Sequence, residues 1–127
     1  MKGLVWVPQL STNNEQIDNQ HRKLFDLYNQ AAECPEGSLD KQALVQDLLA
    51  YAKQHFDAEE ELMHHIDYPR EACHLHKELH RSFVAKLDGL KGQPVYLILD
   101  FFQEWLLRHI FVEDRRIGAH TKEAGRA

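Results

Sequence analysis

The chain has 127 residues, enough for one domain with its own core and no need of disulfide staples. It is 43% hydrophobic and 28% charged, with six Gly and four Pro, which excludes a linker or a low-complexity segment. Twenty acidic residues outnumber fifteen basic ones, for a net charge of −5, and this argues against nucleic acid, whose phosphates require a face rich in Lys and Arg.

The first segment, MKGLVWVPQL, carries one Lys and an apolar run that stops at Pro8. That run is too short for a signal-peptide core. Residues 1–14 are therefore expected to form a short N-terminal arm, with Val5, Trp6 and Val7 capping the core. A first helix is predicted over residues 15–33, with Ile17, His21, Leu24, Phe25 and Tyr28 on one face. The break at Cys34-Pro35-Glu36-Gly37-Ser38 leads to a second helix over 39–66, with Ser38 as its N-cap. Its stripe is Leu44, Leu48, Ala52, His55, Glu59, Leu62 and Ile66. A third helix is predicted over 69–90, with Pro69 at the first helical position. Its stripe runs Cys73, His76, Leu79, His80, Phe83, Leu87, Leu90. The fourth, over 95–117, carries Ile98, Phe102, Trp105, Leu106, His109 and Val112, and Gly118 lies just beyond it. No strand-like alternation and no repeat is present. Four helices with short connections predict an all-α, up-down-up-down four-helix bundle, residues 1–127 forming a single domain. No stretch approaches the roughly 20 apolar residues needed to span a membrane. Cys34 and Cys73 form no CxxC pair, which points to a reducing, cytoplasmic setting.

Nine histidines are the unusual feature of the composition. Five of them, His21, His55, His76, His80 and His109, fall on the apolar stripes, together with Glu59. Buried ionisable groups are costly unless paired or bound to a metal. At 100° per residue, His55 and Glu59 (i, i+4) stand about 40° apart on one face, and His76 and His80 repeat the spacing. Imidazole with carboxylate suits iron, zinc, copper or nickel rather than calcium or magnesium. Five imidazoles exceed one tetrahedral zinc and suit two metals with carboxylate bridges.

The segments Ile17-Asp18-Asn19-Gln20-His21 with Leu24, His55-Phe56-x-x-Glu59-Glu60, Tyr68-Pro69, His76-x-x-x-His80 and Trp105-Leu106-x-x-His109-Ile110-x-x-x-Asp114 occur in this order along nearly the whole chain. With a tryptophan near the N-terminus, they resemble the hemerythrin family, specifically its single-domain bacterial members. The resemblance implies a non-haem di-iron centre that binds dioxygen reversibly, a binding protein rather than an enzyme. It implies that His76, His80 and His109 hold one iron and His21 and His55 the other. Glu59 and Asp114 would bridge the two beside a solvent-derived oxo or hydroxo group. The first iron then has six ligands and the second five, which leaves the second a position for dioxygen. Trp105, Leu106 and Ile110 match positions that wall the oxygen pocket. A role as carrier, store or delivery protein to an oxygen-consuming enzyme is expected, with sensing or iron handling as alternatives, and a monomer is expected. No attached signalling domain is visible, which is expected to favour carriage over sensing.

One spacing departs from helix geometry. His109 and Asp114 are i, i+5, about 140° apart on an ideal helix, whereas Glu113 is only about 40° from His109. Periodicity nominates Glu113 and the resemblance nominates Asp114. Asp114 is followed, which requires the fourth helix to distort or the two side chains to reach in from either side. Glu60 and Glu113 are then read as solvated or as supporting groups. Asp18 reads equally as a partner of His21 and as a helix-start or surface residue. A ferritin-like di-iron oxidase would need Glu-x-x-His strings within the bundle. The two present, Glu61-x-x-His64 and Glu71-x-x-His74, flank the Pro69 break, and Glu61 lies about 200° from Glu59. His64, His65, His74 and His120 are expected at the surface.

Overall fold

A computed structural model describes residues 4–12 and 14–124. The rest of the expected arm and tail, residues 1–3, 13 and 125–127, lies outside the described residues. Four helical rods are present: α1 (Glu15–Glu33), α2 (Leu39–His65), α3 (Arg70–Gly89), and a composite fourth of α4 (Val95–Arg108), a π-helical turn (His109–Asp114) and α5 (Arg115–Ala124). No strand occurs among the described residues. The chain is all-α, a four-helix bundle.

The helix starts have local causes. The Asn14 side chain accepts a hydrogen bond from Ile17 N–H at 3.0 Å, and Ser38 accepts one from Lys41 N–H at 3.2 Å. Each satisfies one of the donors that a helix N-terminus leaves unpaired. α3 starts one residue later than expected, so Pro69 precedes the first helical residue rather than occupying it. The connections, residues 34–38, 66–69 and 90–94, are so short that each rod folds back along its predecessor. Buried Lys41 pins the first of them: its Nζ donates to the Cys34 carbonyl and pairs with Glu36, each at 3.2 Å.

The apolar stripes meet in one core. Leu24 and Tyr28 of α1, Leu48 of α2, Phe83 of α3, and Leu99 and Phe102 of α4 are fully buried. Each large side chain removed from water contributes about 1.5–3 kcal/mol. The Tyr28 hydroxyl keeps a partner by donating to Gln103 Oε1 at 2.8 Å. Ile17, Met63 and Ile117 are buried outside that core cluster. They lie about a turn beyond His21, Glu59 and Asp114, so apolar side chains close the polar layer from both ends.

The arm differs from expectation. Leu4 and Leu10 are its buried anchors and Trp6 is half-buried, whereas Val5 and Val7 are 73% and 39% exposed. An extended backbone turns successive side chains to opposite faces, so Leu4 and Trp6 point in and the two valines point out. Two hydrogen bonds clamp the arm to α1: Leu4 N–H donates to Asn29 Oδ1 at 2.7 Å, and Asn29 Nδ2 donates to the Leu4 carbonyl at 2.8 Å. Asp18 holds the other end. Its carboxylate accepts from Ser11 Oγ at 2.7 Å and from Thr12 N–H and Oγ1 at 2.8 Å each. Asp18 is therefore the anchor of the arm, not a partner of His21. The arm then passes directly over Gly118, where an added Cβ would stand 1.4 Å from the Thr12 carbonyl oxygen. No helix among the described residues is long and apolar enough to cross a membrane.

Candidate metal centre

Each rod contributes to one buried polar layer. α1 supplies His21, α2 supplies His55 and Glu59, α3 supplies His76 and His80, and the π turn begins with His109 and ends with Asp114. None of these seven side chains is more than 4% exposed. Their ligand atoms form two groups, Glu59-His76-His80-His109 and His21-His55-Glu59-Asp114, and within each group all lie within 4.8 Å of one another. Glu59 is common to both. Asp114 also faces both, through different oxygens: Oδ1 lies 3.1 Å from His76 Nε2 and from His109 Nε2, and Oδ2 lies 2.9 Å from His21 Nε2.

The π turn makes this possible. A turn closed by i→i+5 bonds accommodates one extra residue, and it brings Asp114 back to the face of His109. The helix does distort, and Asp114, not Glu113, faces the cluster. Glu113 is half-buried and pairs with Arg116 at 3.6 Å. The same change of register overturns the expected place of Val112 on the core stripe, since Val112 is 37% exposed.

The donor atoms fit metal ions. His21 Nε2 lies 3.0 Å from His55 Nε2, and His109 Nε2 lies 3.1 Å from His80 Nε2 and 3.2 Å from His76 Nε2. Imidazole nitrogens converging this closely need a proton or a cation between them. All four oxygens of Glu59 and Asp114 are buried without a hydrogen bond of acceptable geometry. Such groups carry a large desolvation cost unless a cation compensates it. The spacing is informative as well. Neighbouring donors about 2.1 Å from a metal stand about 3.0 Å apart on an octahedron and about 3.4 Å apart on a tetrahedron. The observed donor separations of 2.9–3.5 Å fall in the range that ligands of one metal ion adopt.

Without a cation the layer is electrostatically divided. Burial, reinforced by the charge of Asp114, pushes the Glu59 carboxyl well above its usual range. Burial also acts to raise Asp114, but the attraction of His109, His21 and His76 outweighs it and holds that carboxyl well below. Burial and the neighbouring imidazoles lower His55 to about 3 and His80 to about 2. His76 rises to about 10, because Asp114 and Glu59 outweigh the burial that opposes its charge. A metal ion binding here would compete with protons for the same donor atoms.

Aromatic rings and outer partners hold the imidazoles. His80 stacks on Phe56 at 4.0 Å, and its Nδ1 lies 3.0 Å from Glu60 Oε2. His109 stacks on Trp105 at 4.3 Å, and Trp6 of the arm comes within 6.4 Å of the His21 ring. His55 Nδ1 lies 2.6 Å from Gln20 Oε1, a contact not foreseen from the sequence. It crosses from α1 to α2, so no spacing along either helix announces it. Of the expected oxygen-pocket residues, Trp105 packs on His109, Phe56 and Phe83, beside the three-imidazole group, while Leu106 and Ile110 are buried in the core.

The remaining histidines stay apart from both groups. His64, His65 and His74 are exposed, as are Glu61 and Glu71. His120 is not a plain surface residue: it is half-buried, with Nε2 3.2 Å from the Ile66 carbonyl and its ring 5.3 Å from Tyr68. It ties α5 to the connection between α2 and α3.

Residues 12–120, which include all seven side chains, match the family described as hemerythrin HHE cation binding domain. The chain belongs to the hemerythrin family. Among its hemerythrin relatives is a bacteriohemerythrin of Clostridium acetobutylicum, 31% identical over 87% of this chain and 95% of the relative. A bacteriohemerythrin of Stenotrophomonas maltophilia is 29% identical over 97% of this chain and 87% of the relative. Myohemerythrin-1 of Phascolopsis gouldii is 30% identical over 87% of each. Hemerythrin membership and the two buried donor groups together support a non-haem di-iron site.

Proposed function

We propose that this hemerythrin binds dioxygen reversibly at its di-iron site and acts as an oxygen carrier, store or delivery protein. The observation that carries the reading is the pair of unequal donor groups joined by shared carboxylates, three imidazoles on one side and two on the other. In this reading His76, His80 and His109 hold one iron, and His21 and His55 hold the other. Glu59 and Asp114 would serve both, and a solvent-derived oxo or hydroxo group would complete the centre. When bound, the irons supply the electrons and the open coordination position that dioxygen requires.

The protein's own part is positioning and exclusion. The His21–His55 group has one imidazole fewer, and it is the side on which an exogenous ligand would bind. Trp105, Leu106 and Ile110 are proposed to wall the oxygen pocket, Leu106 and Ile110 from the core and Trp105 from the His109 end of the cluster. Leu106 and Ile110, with Ile17, Met63 and Ile117, keep water from the polar layer. A dry surround slows proton delivery and so favours release of intact dioxygen over irreversible oxidation. The same site could serve sensing or iron handling. Carriage or delivery to an oxygen-consuming enzyme, by a cytoplasmic monomer, is the role proposed.

The test is anaerobic reconstitution. Two irons per chain are expected, with a visible band that appears in air and disappears when oxygen is removed, over repeated cycles. Fewer than two irons, or oxidation that never reverses, overturns the proposal.

A further inference from the structure

Two imidazoles, one in each donor group, use the nitrogen that faces away from the cluster, and their partners differ in charge. His80 Nδ1 meets the Glu60 carboxylate at 3.0 Å, and His55 Nδ1 meets the Gln20 amide oxygen at 2.6 Å. Both rings point Nε2 into the cluster, so in the neutral metal-binding form Nδ1 carries the proton and donates it outward. His21, in the same group as His55, has a buried Nδ1 with no hydrogen-bond partner among the described residues.

We propose that Glu60 and Gln20 are positioning residues that make the two iron positions electronically unequal. The inference rests on the di-iron reading above. A carboxylate acceptor draws the Nδ1 proton toward itself and strengthens the imidazole as a donor, and a charge-assisted hydrogen bond of this kind is about twice as strong as a neutral one. His80 is therefore the more electron-donating ligand, and the three-imidazole iron is the one whose ferric state is favoured. His55, bonded to a neutral amide, leaves the two-imidazole iron the better acceptor for an exogenous ligand. Stacking on Phe56 at 4.0 Å prevents the His80 ring from swinging away from Glu60. Glu60 itself is 31% exposed, at a cleft of about 440 Å³ between α2 and α3 that Lys53, Phe56, Arg81 and Val84 also line. The same cleft reaches His80.

The test uses the intact iron-loaded protein and compares wild type with Glu60→Gln, which keeps the shape and removes the charge, and with Gln20→Glu, which adds it. Midpoint potentials are read by spectroelectrochemistry, and iron loss by extraction with a chelator. At a fixed applied potential near the midpoint, Glu60→Gln is expected to raise the ferrous-to-ferric ratio about tenfold, a rise of about 59 mV for one electron, and to speed iron loss about tenfold. Gln20→Glu is expected to move the ratio the opposite way. Midpoints unchanged in variants that still carry two irons, or a shift in the same direction for both, overturn the inference alone. Wild-type protein with fewer than two irons overturns the di-iron reading and the inference with it.

Discussion

Asp114 and Glu113 are adjacent carboxylates with different surroundings: one lies between imidazoles from three rods, the other pairs with Arg116 near the surface. Asp114→Ala is expected to cost at least one iron per chain, and Glu113→Ala none, as measured by iron content after desalting. Glu59→Ala and His80→Ala should lose iron likewise, while His64→Ala and His120→Ala retain it. Equal losses at all four positions would contradict the assignment. The metal-free protein should also show a stability optimum in pH. His55 and His80 are held at about 3 and about 2, below the 6.5 of an unfolded histidine. The unfolded chain then binds more protons as pH falls, and stability present above about pH 6.5 is lost toward acid. His76, raised to about 10, stabilises below about pH 6.5 and ceases to as pH rises toward 10. Thermal melts of chelator-treated protein from pH 4 to 9 should therefore peak near about pH 6.5, and a flat profile would contradict this. The i, i+4 pairs His55–Glu59 and His76–His80 were readable in the sequence because both members lie on one helix. Gln20 was not, because its partner is on another.

At the scale of elements, the π turn and the arm carry the departures from simple helical geometry. The turn accommodates one residue more than an α-helix would. Deleting exposed Val112 should restore α-helical pairing, bring the His109–Asp114 spacing to i, i+4 and preserve two irons per chain. Loss of iron on deletion would show that the π conformation itself is required. The arm depends on Asp18, whose three hydrogen bonds come from Ser11 and Thr12. Asp18→Ala leaves buried Thr12 donors unpaired and is expected to cost about 2–3 kcal/mol. Gly118→Ala forces the arm off α5 and should cost about 1–3 kcal/mol. Both should lower the melting temperature and expose the arm to limited proteolysis while α1–α4 keep their helical circular dichroism. The arm as a segment ending near Pro8 was readable. Which of its residues face inward was not, because that depends on the extended backbone lying against α1.

For the whole molecule, the polar layer brings together ionisable groups from all four rods. Metal binding there links folding to ligation: a site filled at about 1,000 times its dissociation constant adds about 4 kcal/mol. Chelation should lower the melting temperature by roughly 10 °C or more, and returning ferrous iron under nitrogen should restore it. By itself, the sequence determined the helical class, the breaks between rods, and the five histidines that share stripes with apolar residues. Those properties follow from periodicity along one helix and from residues that cannot continue a helix. The resemblance nominated Asp114 over Glu113, and the tertiary structure supplied the cause, a π turn; it alone decided that Asp18 serves the arm and that Gln20 and Glu60 back different imidazoles. These depend on a local change in helical pitch and on contacts between rods. The first is marked in the chain only by the i, i+5 spacing of His109 and Asp114, and the second leaves no fixed spacing.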